Sequence, residues 1–288
     1  MKRIILTLLF VVTIINAFGQ QMPNVDTALK FNQRFTKCER KWVVISKADT
    51  AKNYLYGFIY IDSQAGFTFD MKGTFVINSN GQYIGDTTLS KNRSIKYRIA
   101  QNWRNVALLP PSRFKELHIK PQPAWIKYYY NYTDTIQHNY RWGFIYNDAG
   151  QSDTALTYLL QAYKLKSHYP GLEFELIFAY NALAQYDDAI KVLESAVQND
   201  PKNTLFYREL GYAYLKKALY DKSIAYFKQG LDICTDKQND TKAEIAINMA
   251  QDYKLLGNDA EYKEWGQKAK AWASAGSQLY KFIEAKGF

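Results

Sequence analysis

Three short segments decide the reading of this chain: Trp142-Gly143-Phe144-Ile145-Tyr146, Leu176-Ile177-Phe178-Ala179-Tyr180 and Leu210-Gly211-Tyr212-Ala213-Tyr214. Each begins 34 residues after the one before. Further out, the same spacing relates Ala155, Ala189 and Ser223, then Leu159, Leu193 and Phe227, then Ala162, Ala196 and Gly230. A period of that length marks stacked supersecondary units. Within each unit, large apolar residues recur at helical spacing in two runs, separated by turns such as Asn147-Asp148-Ala149-Gly150. Small residues recur where two helices must approach closely. Each unit is therefore a helix–turn–helix.

This pattern resembles the tetratricopeptide repeat. The third unit keeps Leu210-Gly211 and Tyr214; the second departs at Ile177 but ends on Asp200-Pro201; the first has Trp142-Gly143 and Tyr146, with a late proline at Pro170. A looser fourth unit, with Met249-Ala250, Tyr253 and Ala269, follows a polar insert from Thr235 to Asp240. The resemblance spans residues 138–274, and residues 275–288 read as a capping helix. It implies an interaction module whose first helices line a groove for a peptide or partner helix. The family's groove positions fall on Tyr140, Phe174 and Arg208, on Phe144, Phe178 and Tyr212, on Asn147, Asn181 and Leu215, and on Lys216. The implied groove is aromatic at one end and basic toward Arg208 and Lys216. Asn147 and Asn181 would form a ladder to peptide backbone, since an amide both donates and accepts. Exposure or turn capping is the alternative role for these two. The Lys/Asn/Arg set that grips a C-terminal carboxylate in other members is missing. Nine aromatics lie between Trp125 and Tyr146, and packing against the other half of the chain is the alternative use for many of them.

That other half, residues 20–137, reads as antiparallel sheet. Phe67, Phe69, Met71, Phe75 and Ile77 alternate with polar residues and are expected on one face. Tyr54, Tyr56, Phe58 and Tyr60 alternate with Leu55, Ile59 and Ile61, a strand covered on both sides. Asp62 to Gly66 and Asn80-Gly81 are turn signals. Further strands are expected at 42–45, 95–99 and 106–109. A short helix from Asp26 is suggested by Ala28, Phe31, Phe35 and Cys38. The fold class is thus α+β, an antiparallel β-rich domain followed by an all-α repeat solenoid.

Met1-Lys2-Arg3, an apolar run from Ile4 to Ile15 and Ala17-Phe18-Gly19 have the layout of a signal peptide over residues 1–19. The run is too short to span a bilayer, so the expectation is an exported protein, periplasmic or secreted, starting near Gln20 and without a membrane span. Residues 20–137 hold 17 Lys/Arg against 8 Asp/Glu, a net of +9, and residues 138–288 hold 18 against 19, a net of −1. Lys72, Lys91, Arg93, Lys96, Arg98 and Arg104 are the candidate basic face. It would suit an anionic envelope component. Export argues against nucleic acid. Export also permits a Cys38–Cys234 disulfide, but two unpaired cysteines is the favoured reading, with the thiolate of Cys38 favoured by Lys37, Arg40 and Lys41. No hydrolase, zinc-protease or phosphate-loop motif is present, and His118, His138 and His168 lack metal-ligand spacing. No catalytic residue, metal or cofactor is expected. The functional expectation is a non-enzymatic scaffold that binds a peptide or protein through the groove. The alternative is recognition of an envelope polymer or anionic surface by the basic, aromatic domain.

Overall fold

The computed structural model describes residues 26–91 and 94–288. The signal-peptide segment, the start at Gln20 and Arg93 lie outside them. Six strands form one antiparallel sheet: β1 (Lys41–Ile45), β2 (Tyr54–Asp62), β3 (Gly66–Ile77), β4 (Tyr83–Asp86), β5 (Ile95–Arg98) and β6 (Val106–Leu108). The spatial order is β4-β3-β2-β1-β6, and β5 pairs with the other end of β3. The β2–β3 hairpin closes on Asp62, whose carboxylate accepts from the backbone N–H groups of Gln64 and Ala65, and on Gly66 at φ +80°.

Strand β3 departs from the expected single face. Tyr56 pairs with Gly73 while Gly57 pairs with Met71, so Lys72 is an extra residue. A bulge of this kind flips the side chains that follow it. Phe67, Phe69 and Met71 therefore pack with Ile59 and Ile61, whereas Phe75 and Ile77 cross to join Tyr54, Tyr56, Phe58 and Tyr60. Two different cores cover the two faces. On the tyrosine side the cover is the chain itself, through Leu29, Leu109, Leu117 and Ile126. The expected helix from Asp26 is absent, and only Phe35–Lys37 makes a single 3-10 turn. Leu29 is drawn into the core and Gln33 bridges Val106, so the segment lies extended along the sheet.

The helices come in antiparallel pairs: α1 (Thr135–Asp148) with α2 (Ser152–Leu165), α3 (Leu172–Ala182) with α4 (Tyr186–Asn199), α5 (Thr204–Lys216) with α6 (Tyr220–Ile233), and α7 (Asn239–Leu255) with α8 (Asp259–Trp272). A short α9 (Gln278–Ala285) follows and packs on the last pair. The repeated small residues sit where the pairs touch. A Cβ on Gly143 would come within 2.4 Å of the Leu159 side chain, and one on Gly211 within 2.4 Å of Phe227. Ala155, Ala162, Ala189 and Ala196 are fully buried. Single caps start several helices, including Asp134 on α1, Asn203 on α5 and Ser277 on α9.

The second face of the sheet packs directly on the first helix pair. Phe35, Ile59, Ile61, Phe67 and Phe69 share one continuous core with Trp142, Ile145 and Tyr146. Half-buried Glu39 borders it. Its carboxylate accepts from the Tyr130 hydroxyl at 2.8 Å, the Tyr146 hydroxyl at 2.5 Å and the Trp142 indole N–H at 3.4 Å. Burial and the Glu39 charge push both tyrosine hydroxyls well above their ordinary range. Around this contact Arg34 donates to the Ala149 carbonyl, Arg141 to the Ser63 and Gln64 carbonyls, and Arg98 meets Asp148 at 3.6 Å. The first repeat is thereby capped by a sheet, so its apolar end is never bare. Of the aromatics expected at this junction, Trp125, Tyr129 and Tyr130 are part of the cores, but Tyr128 is 74% exposed and Tyr132 50% exposed.

Cys38 and Cys234 are free thiols. The basic neighbours of Cys38 do not yield a thiolate. The residue is fully buried, and desolvation pushes its thiol up to about 11 despite Lys41. Among the described residues no helix is long and apolar enough to cross a membrane.

Candidate binding groove

Helices α1, α3 and α5 are the first members of three consecutive pairs, so the same side of each faces one concavity. That concavity is a cavity of about 590 Å³ lined from these three helices. Seven of the ten expected groove residues line it: Phe144, Asn147, Phe174, Phe178, Asn181, Arg208 and Tyr212. The other three lie elsewhere. Tyr140 packs on Tyr169, with ring centroids 5.3 Å apart, and lines a different cavity beside the β2–β3 hairpin. Leu215 and Lys216 lie at the end of α5, where Lys216 sits over the Tyr212 ring.

The floor is aromatic. Phe174 stacks on Phe206 at 4.8 Å, which fixes it, while Phe178 is 54% exposed and projects into the cavity. Two side-chain amide oxygens there, Asn147 Oδ1 and Asn181 Oδ1, are buried and have no hydrogen-bond partner. Such atoms are rare in native proteins, because an unpaired buried polar group costs about 1–3 kcal/mol. The two asparagines are not equivalent, however. Asn147 is 3% exposed, and its amide N–H groups already donate to the Glu175 carbonyl at 3.0 Å and the Glu175 carboxylate at 2.9 Å. It ties α1 to α3. Asn181 is half-buried and has no such tie to the next helix.

The charge of the groove corrects the sequence reading. It is not basic toward Arg208. The Arg208 guanidinium is paired with Glu209 at 2.7 Å and also with Glu244. Asp148, Glu175 and Glu209 line the cavity with it, so carboxylates outnumber cations. Burial raises the Glu175 carboxyl above its ordinary range, and Asp148 adds to that, while Asn147 and Arg141 oppose it. Glu175 and Glu209 were missed although the repeat itself points to them: Arg141, Glu175 and Glu209 are one column, 34 residues apart and each just before a Trp142-type position.

The basic face is also redistributed. Lys72 and Lys91 line one cavity of the β domain and Lys96 the cavity next to it. Arg98 belongs to the junction with α1 through Asp148. Arg104 is exposed and lines none of these cavities.

Residues 146–208 match the model of the tetratricopeptide repeat family. The paired helices α1 to α8 are consistent with a tetratricopeptide-repeat solenoid. Among solved structures, MamA from Desulfovibrio magneticus RS-1 aligns with 19% identity and a TM-score of 0.43, over 48% of this chain and 75% of that one. MamA AMB-1 aligns with 19% identity and a TM-score of 0.42, over 51% and 78%, and MamA MSR-1 with 18% and 0.43, over 62% and 90%. No curated protein matches the chain in sequence. The repeat fold is that of protein-interaction scaffolds. Seven of the ten expected residues lie together in the concavity formed by α1, α3 and α5.

Proposed function

We propose that this protein is an exported, non-catalytic scaffold that holds a peptide or protein segment in the groove of its repeats. The observation that carries the reading is an exposed Phe178 inside an aromatic-floored cavity that three successive first helices line together. Asn181, half-buried on the cavity wall, carries an amide that can pair with peptide backbone once its side chain turns outward. The carboxylates of Glu175, Glu209 and Asp148 favour a segment with cationic side chains, and Phe144, Phe178 and Tyr212 offer surface for an apolar anchor. The β domain caps the array and carries the excess positive charge outward. Selection from a displayed peptide library tests this. Enriched sequences should pair an aliphatic or aromatic residue with Lys or Arg, and should lose at least tenfold in affinity for Phe178→Ala. Acidic sequences, or binding indifferent to Phe178→Ala, would remove the groove from the account.

A further inference from the structure

A second concavity lies on the β domain, away from the repeats. It has a volume of about 630 Å³ and is lined by Lys72, Lys91 and Lys120 together with Asp70, Ser94 and Trp125. A smaller one of about 430 Å³ adjoins it, shares Asp70, Ser94 and Trp125, and adds Lys96 and Tyr129. The first is within the roughly 300–1,000 Å³ range of small-ligand sites. Its charge is built in by the fold. The bulge in β3 places Lys72 as the extra residue beside Asp70 and Met71 on the cavity wall. Lys96 is held among three rings, with its ammonium 5.5 Å from the centroid of Tyr60, 5.4 Å from Trp125 and 5.2 Å from Tyr129, and it donates to the Tyr129 hydroxyl. None of the four lysines forms an ion pair within 4 Å among the described residues. The rim also contains His118, a non-glycine residue at φ 51°. Strained backbone of this kind persists where the surroundings over-determine it, and it concentrates at ligand sites.

Cations alone would suit any polyanion. Two further features narrow the choice. Asp70 lies inside the lysine ring with Ser94 donating to its carboxylate at 3.1 Å. A carboxylate there accepts from hydroxyl groups, which a sugar carries and a phosphate chain lacks. Trp125 lines both cavities and sets an indole ring beside the charged groups. An anion, several hydroxyls and a ring with an apolar face occur together in an acidic sugar. We propose that this double cavity binds an acidic oligosaccharide, with its carboxylate or sulfate on Lys72, Lys91 and Lys120, its hydroxyls on Asp70 and Ser94, and one ring against Trp125. This site is independent of the repeat groove.

The test is calorimetric titration of the full chain with a panel of acidic oligosaccharides: galacturonate, mannuronate and glucuronate oligomers and a sulfated disaccharide. Their uncharged counterparts, a polyphosphate and an oligothymidylate complete the panel. At least one acidic sugar should bind, at least tenfold more tightly than its uncharged counterpart and than polyphosphate, and its affinity should fall with added salt. The double variant Lys72→Ala with Lys120→Ala changes only exposed side chains and should weaken it at least tenfold. Trp125→Ala should do the same; since Trp125 also packs on Phe58 and Tyr60, Trp125→Phe and a thermal melt separate loss of stacking from loss of fold. Three results would overturn the proposal: no acidic sugar binding at all, polyphosphate binding equally well, or oligothymidylate binding more tightly, the last making the cavity a nucleic-acid site.

Discussion

Helix α1 serves two surfaces, and they treat polar atoms in opposite ways. Toward the sheet, Trp142 and Tyr146 give their hydrogens to Glu39, which also takes that of Tyr130. Toward the groove, Asn147 and its counterpart Asn181 on α3 each keep an oxygen without a partner. The first surface is saturated and apolar-packed, as a permanent interface must be. The second carries unmet acceptors beside an exposed phenylalanine. An interface already filled and one waiting for an occupant differ in this way although a single helix builds both.

The contrast is broken most severely at Glu39. Glu39→Ala leaves two hydroxyls and an indole N–H without their acceptor in the junction. The expected cost is about 3 kcal/mol, read as a lower urea midpoint, with Glu39→Gln retaining part of it. A loss below ~1 kcal/mol would mean that the junction is held by its apolar contacts alone.

Asp252 sharpens the contrast, since an unpaired oxygen is not by itself the mark of a binding site. It is fully buried, accepts from Ser223 at 2.6 Å through one oxygen and has no partner for the other. Burial pushes its carboxyl up to about 7. Unlike an amide, it can answer by keeping a proton. The folded state then binds more protons than the unfolded chain between about pH 4 and pH 7, so stability falls as pH rises through that window and levels off above it. Asp252→Asn should flatten this slope and gain about 2 kcal/mol at pH 8. Equal slopes for the two proteins, by urea unfolding at pH 5 and pH 8, would place the carboxylate in a wetter site.

A smaller effect is expected at the packed column. In Gly211→Ala the added methyl meets Phe227, and overpacking costs about 1–3 kcal/mol, against which the better helix propensity of alanine returns about 1 kcal/mol. A net destabilisation of about 1 kcal/mol should appear in the thermal midpoint. Asn181→Ala removes a buried oxygen without a partner and so should not lower stability, while a lost hydrogen bond to ligand weakens peptide binding by about 0.5–1.5 kcal/mol. Asn147→Ala should instead act on stability through Glu175, which a melt of each single variant will distinguish.

The repeats were legible because their chemistry recurs in register: the glycine, tyrosine and small-residue columns need no tertiary information. The sheet was legible for the same reason at period two, up to Met71. Beyond that, Lys72 looks like one more polar residue in an alternating strand, and only the pairing of Tyr56 and Gly57 with β3 shows that it is extra. The segment from Asp26 has helical spacing, but burial of Leu29 and the bridge to Val106 outweigh that local preference. Glu39 was a single acid within a basic run, and its role depends on Trp142 and Tyr146 more than a hundred residues away. The columns bring seven of the ten expected residues to one cavity, whereas its charge could not be read from them, because Arg208 is paired with Glu244 from another helix.

The most direct test of the groove as the occupied surface is the affinity of a library-selected peptide for the wild-type chain and for Phe178→Ala, measured beside the thermal midpoint of each. Phe178 is largely solvent-facing, so its loss should leave the midpoint within about 2 °C. Affinity should drop at least tenfold. Equal affinities, or a fall in affinity matched by a fall in the midpoint, would contradict the account.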